Sequence, residues 1–129
     1  MADTDGGPPG YKAVLSPEAR RDLRLALKRS QKKFGEDAAF RYRRLIGQAV
    51  RDIEGDPFRP GSSDEKGARA GMRSYHVSFS RQRARTARGI VQNPRHLIVY
   101  QIRDECTILV LRILHDQQDL QQQLAEEEE

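Results

Sequence analysis

Between Thr107 and Leu114, six of eight residues are large aliphatics, in a chain whose mean hydropathy is only −0.81. A run of that length, bounded by Asp104-Glu105 and by Asp116, reads as a strand buried on both faces. The chain has to build a sheet around it. Arg112 interrupts the run, and a guanidinium inside such a strand is costly unless it is paired or surfaces at the sheet edge. His115 and Asp116 follow directly, so the most apolar strand ends in ionisable groups. A second strand precedes it at residues 95–103, with Tyr100 and Ile102 on one face and Leu97, Val99 and Gln101 on the other. The Asp104-Glu105 link is short enough for a hairpin.

Two helices come earlier. Ser16 suits an N-cap and Pro17 the first helical position. Ala19, Leu23, Ala26/Leu27, Ser30 and Phe34 then form an apolar stripe at helical spacing, which Gly35 ends. Glu36 and Asp37 favour the start of a second helix through the dipole. That helix carries Ala39, Tyr42, Leu45/Ile46, Ala49 and Ile53 on one side and is stopped by Gly55 and Pro57. Residues 11–15 read as a short strand and residues 57–71 as a Gly/Pro/Ser-rich loop. Residues 72–79 alternate, Tyr75, Val77 and Phe79 against Ser74, His76 and Ser78. Residues 80–94 are too long for a tight turn and read as an extended basic hairpin tip or a mobile loop. The layout is β-α-α-β-β-β: an α+β, two-layer domain with a helical hairpin packed on a mostly antiparallel sheet. Residues 1–10 are expected to be disordered and residues 11–116 to be the folded unit. Residues 117–129 form an acidic Gln/Glu-rich tail, a marginal helix near the basic surface and outside the core.

The 129 residues fit one domain. The lone Cys106 makes no internal disulfide, fits a reducing cytoplasm, and is expected buried as a small hydrophobe. The first residues lack the pattern of a signal peptide, and no apolar run is long enough to cross a bilayer. A soluble, cytoplasmic protein without a membrane partner is the expectation, and no pattern calls for a metal or a cofactor. The net charge of +4 conceals a sharper segregation. Residues 20–44 carry ten Lys/Arg against three acids, residues 66–103 carry nine Lys/Arg and no acid, and residues 116–129 carry six acids and no base. Blocks this polarised point to recognition of something acidic.

The order and spacing of several segments resemble the ParE/RelE superfamily of bacterial toxin–antitoxin toxins. Tyr11-Lys12-Ala13-Val14-Leu15-Ser16-Pro17-Glu18-Ala19-Arg20-Arg21-Asp22-Leu23 looks like that family's opening strand and helix start. Asp56-Pro57-Phe58-Arg59-Pro60-Gly61 and Gly71-Met72-Arg73-Ser74-Tyr75 are similar to its loop into the second strand. Arg95-His96 with Tyr100, then Arg112-Ile113-Leu114-His115-Asp116, resemble its closing strands. The resemblance covers roughly residues 11–120 and implies the fold already read from the periodicities.

It also implies two candidate activities. ParE-like members poison DNA gyrase and stall replication without a hydrolytic centre; RelE-like members cleave messenger RNA at the ribosome. Both kinds are silenced by an antitoxin encoded alongside, here ParD-like, in modules that stabilise plasmids or chromosomes. For cleavage, His115 would be the general acid and Arg73, Arg95 and Arg112 would brace the phosphate, with His76 a weaker candidate. Cleaving members, however, carry an arginine three residues before the strand tyrosine, and here that position is Leu97. The stretch Arg51-Asp52-Ile53-Glu54-Gly55 is ambiguous, whereas the 112–116 ending is closer to ParE. The expectation is therefore a non-catalytic gyrase poison, with the ribonuclease as alternative and a basic nucleic-acid-binding module as a third reading. Arg73, Arg81, Arg83, Arg85, Arg88 and Arg95 are the expected contacts to target or phosphate. Leu25, Lys28, Arg29 and Lys32 on the first helix, the groove between the helices, and the open edge of the short first strand are candidate antitoxin surfaces.

Overall fold

The structure is a computed structural model and describes residues 10–65 and 70–115. Strand β1 (Lys12–Leu15) leads into helices α1 (Pro17–Phe34) and α2 (Glu36–Gly55). Strands β2 (Ser62–Asp64), β3 (Met72–His76), β4 (Leu97–Ile102) and β5 (Thr107–Leu114) follow. They form one five-stranded sheet in the order β1-β5-β4-β3-β2, in which β1 runs parallel to β5 and every other pairing is antiparallel. The α+β architecture expected from the sequence is present, with one strand more than expected.

Local chemistry sets the helix ends. The Ser16 side chain accepts the Ala19 amide at 3.0 Å, a cap worth about 1 kcal/mol. Gly35, at φ 97, closes α1 and opens α2 without the penalty a side chain would pay. The stripe of α2 packs as its spacing requires, burying Tyr42, Leu45, Ile46, Ala49 and Ile53 against Tyr75, Ile98, Tyr100, Ile108, Val110 and Ile113 of the sheet. On α1 the stripe stops early. Ala19 and Ala26 are buried, but Phe34, the last residue of α1 before the Gly35 turn, is 74% exposed. On the sheet's other face Met72, Leu97, Val99 and Leu114 form a second buried cluster.

Four connections depart from the sequence reading. Strand β2 lies inside the stretch read as loop. It has no apolar residue and is a strand only because Ser62, Ser63 and Asp64 pair with Tyr75, Ser74 and Arg73. The alternation expected through Phe79 ends at His76, where 3-10 turns at Val77–Ser80 and Gln82–Ala84 begin and leave Phe79 56% exposed. Residues 77–95 are therefore no extended hairpin tip. They lie along α2, where Arg41 donates to the Arg88 carbonyl at 2.9 Å. Cys106 is exposed, not buried, because it sits in the β4–β5 turn, where its amide donates to Asp104 at 2.9 Å.

The edges of the sheet are managed too. Along β1 the Lys12 amide turns inward to Cys106, while the outward Tyr11 and Ala13 amides donate to the carbonyl (3.1 Å) and carboxylate (2.8 Å) of Glu54. The edge expected to be open for strand addition is closed at these two residues by the end of α2. Beyond β1, a register shift near Val99/Tyr100 bulges β5 at Leu111, whose carbonyl accepts the Ser16 hydroxyl at 2.8 Å. Asp22 covers the next step, accepting the Ile113 amide at 2.9 Å and Arg112 at 2.8 and 3.0 Å. The expectations for residues 1–9 and for the acidic tail from Asp116, with Lys66 and Arg69 of the basic block, lie outside the described residues.

Candidate functional site

The three histidines, each some twenty residues from the next, meet at one end of the sheet. His76 ends β3 and pairs with Leu97, His96 precedes β4, and His115 follows β5, whose Leu114 also pairs with Leu97. His96 is buried, with Nδ1 2.5 Å from the Tyr42 hydroxyl. The Arg95 amide can only donate, and it donates to that same hydroxyl at 3.0 Å. The Tyr42 and His115 rings lie edge-on to His96 at 5.3 and 5.2 Å. Burial, then the positive neighbours His115, Arg29 and His76, push His96 down to about 4, with Asp22 opposing. His96 is thus neutral at physiological pH and has no proton to give as a general acid there. Burial and Arg95 also lower His76, whose Nδ1 caps the Ser78 amide at 3.1 Å. His115 is the exposed member of the three.

Of the arginines proposed to join His115, Arg95 is exposed beside His96 at this end, and Arg112 stands three residues before His115 on β5. Arg73 stands opposite Tyr100, donates from Nε to Ser62 Oγ at 2.7 Å, and lies 4.9 Å over the Phe58 ring. The Tyr100 hydroxyl completes this knot, 2.6 Å from Ser62 Oγ and 2.5 Å from the Pro57 carbonyl. Arg112 is turned to α1 and held bidentate by Asp22. Arg73, on β3, and Arg112, on β5, are thus engaged with different partners on strands separated by β4.

A second polar centre was missed entirely from the sequence. Asp52, 3% exposed, accepts Ser80 Oγ at 2.6 Å and Gln48 at 2.9 Å, and pairs with Arg83 at 3.2 Å and Arg59 at 3.9 Å. Ser80 in turn meets the buried Tyr75 hydroxyl at 2.8 Å. This centre ties the first 3-10 turn to α2 and fixes the path of the basic loop. A signal was available: Asp52 falls three residues after Ala49 and seven after Leu45, on the apolar stripe itself.

The loop arginines divide accordingly. Arg81 is spent on the Val91 carbonyl at 2.7 Å and Arg83 is tied to Asp52. Arg88 lies 4.2 Å over Phe40 and 3.7 Å from Asp37, while Arg85 is exposed with a 3.4 Å bond to Gln82. On α1, Leu25 (50% exposed), Lys28, Arg29 and Lys32 are all accessible, as their sequence positions implied. A shallow open groove beside β1 is lined by Leu15, Pro17, Arg20, Arg21 and Arg24. No helix among the described residues is long and apolar enough to cross a membrane.

Comparison with known proteins places this architecture. No curated protein sequence matches. Among solved structures, the chain is similar to one of the chromosomal ParDE toxin–antitoxin system from P. aeruginosa. The TM-score is 0.60 at 12% identity, covering 83% of this chain and 97% of that one, which speaks for the fold alone. Weaker likenesses are to the E. coli DinJ-YafQ toxin–antitoxin complex (TM-score 0.47, 15% identity, 82% and 92% covered) and to YafQ from E. coli strain BL21(DE3) (0.49, 16%, 85% and 97%). The family model described as the ParE toxin of the type II toxin-antitoxin system, parDE, matches residues 13–120, most of the sequence. With the sheet, the helical hairpin and the closing strands in the order that family requires, the chain belongs to the ParE toxin family of type II toxin–antitoxin systems.

Proposed function

We propose that this chain arrests growth by trapping DNA gyrase on DNA, without hydrolytic chemistry of its own, and that an adjacent ParD-like antitoxin silences it. The observation that carries this reading is the separation of Arg73 from Arg112, each already held by another partner. Ribonucleolytic cleavage needs an acid, a base and cations converging on one phosphate. Here Arg112 is bound to Asp22 and Arg73 to Ser62, on strands separated by β4. The antitoxin is assigned to the outer face of α1, where Leu25 offers an apolar contact among Lys28, Arg29 and Lys32 and suits an acidic amphipathic segment.

One observation favours a ribosome-dependent ribonuclease as second reading: His76, His96, His115 and Arg95 do gather at one end of the sheet. Induced alone in a bacterial host, the chain is expected to stop growth, and the neighbouring small gene to restore it. Purified protein should block gyrase supercoiling and accumulate cleaved DNA complexes, with His115→Ala changing either effect by less than about twofold. Ribosome-dependent cutting of messenger RNA, lost on His115→Ala, would overturn the gyrase reading.

A further inference from the structure

The arginines of α2 and those of the following loop, far apart in sequence, lie on one surface. Arg41 reaches the Arg88 carbonyl across 47 residues, and Asp52 of the same helix holds Arg83. Helical spacing sets Arg44 and Arg51 on the loop-facing side with Arg41 and Gln48. We propose that Arg41, Arg44, Arg51, Arg83, Arg85 and Arg88 form a phosphate-binding face that seats the backbone of double-stranded DNA. The choice of DNA as the nucleic acid rests on the gyrase reading; the face itself rests on the geometry.

Charge is the first support. The acids that contact this surface are Asp37, paired with Arg88, and the buried Asp52, shared by Arg83 and Arg59. Residues 77–95 contribute no acid at all. Six guanidiniums against two carboxylates leave a positive surface on a rigid base.

The second support is pre-organisation. Arg41 is anchored on a carbonyl, Arg51 on Gln48 at 3.1 Å, Arg85 on Gln82, and Arg88 on the Phe40 ring. A guanidinium has five N–H donors, and these anchors occupy few of them, so most still point outward from side chains that have already lost much of their freedom. The third support concerns the form of the ligand. Phe40, the ring packed against these arginines, is covered by the Arg88 guanidinium and offers no open platform for an unpaired base. Phosphates are what remains to be read, which suits a duplex whose bases stay stacked.

The full-length protein, titrated into a fluorescent DNA duplex of about 30 base pairs, gives the test. Log affinity should fall linearly with log salt from about 50 to about 200 mM, by about 0.9 per phosphate engaged. Arg44→Gln/Arg51→Gln/Arg85→Gln, all at exposed positions, should flatten that slope by about 2–3 and weaken binding at least about tenfold near 100 mM salt. The single change Arg85→Gln should flatten it by about 1 and serves if the triple variant folds poorly. Lys12→Gln/Lys33→Gln/Arg103→Gln removes the same charge from exposed positions elsewhere and should keep the wild-type slope. No duplex binding at low salt, equal losses in both triples, or tighter binding of RNA or single-stranded DNA overturns the proposal. Gyrase poisoning with unaltered DNA binding by the first triple sinks the face and leaves the gyrase reading standing. The predicted slope change in a protein that leaves gyrase untouched does the reverse.

Discussion

At the scale of single residues, His96 has a consequence that can be measured. Its imidazole is held neutral by burial, with Nδ1 against the Tyr42 hydroxyl, and His115, Arg29 and His76 lower it further while Asp22 opposes them. In the unfolded chain the same group titrates near 6.5, against about 4 when folded. Between those values the unfolded state binds the extra proton, so stability rises with pH across the window and is lost as pH falls from 6.5 towards 4. The difference corresponds to about 3 kcal/mol over the whole interval. The lowered His76 adds in the same direction. Denaturant midpoints measured at pH 7 and pH 4.5 should show this loss, and His96→Asn should be less stable at pH 7 but flatter with pH. An unchanged slope in the variant would mean that other groups carry the acid sensitivity. None of this was legible in the sequence, where His96 is one polar residue near the start of the strand read at 95–103; strand register brings it to His76 and His115.

Elements show where periodicity suffices and where it fails. The α2 stripe, the Ser16-Pro17 start and the run at Thr107–Leu114 each announce their element, because burial of one face or both is written in the residue types. Strand β2 is invisible by the same criterion, since Ser62-Ser63-Asp64 becomes a strand only by pairing with β3. Arg112 lies between these cases. Its cost in a buried strand did signal a partner, but only the fold identifies Asp22, at the point where α1 takes over from β1 in covering β5. The carboxylate answers both the guanidinium and the Ile113 amide, which would otherwise sit unpaired in half-buried surroundings. Asp22→Ala should therefore cost about 2–4 kcal/mol, more than an exposed ion pair contributes. Arg112→Met, which keeps the stem and leaves the amide satisfied, should cost roughly half as much. Thermal unfolding of the two variants decides the point; equal, small shifts would reduce Asp22 to an ordinary surface charge.

For the whole molecule, the decisive contact joins the first described strand to the last. β1 pairs with β5 in parallel from Lys12↔Thr107 to Leu15↔Val110, so the sheet is complete only when both ends of the domain have been brought together. A chain organised this way pays the loop-closure entropy of the intervening residues before that pairing repays it. The covering matters because of what β5 is. Among the described residues it is the longest strand and the most apolar segment, and without β1 its Thr107–Val110 half becomes an open sheet edge of high β-propensity. The short β1 in turn is sealed by Glu54, so the sheet passes its edge from an aggregation-prone strand to one whose outward amides are partly satisfied. A chain beginning at Pro17, with all other residues intact, should keep its helical circular dichroism signal but unfold at markedly lower denaturant and scatter light at concentrations where the full chain does not. Restoring residues 10–16 as a separate peptide should reduce the scattering, since that peptide supplies the missing strand in its native register. A truncated chain that scattered no more light than the full chain, with an unchanged midpoint, would show that β5 needs no such cover, and that β1 is decoration on a sheet stable without it.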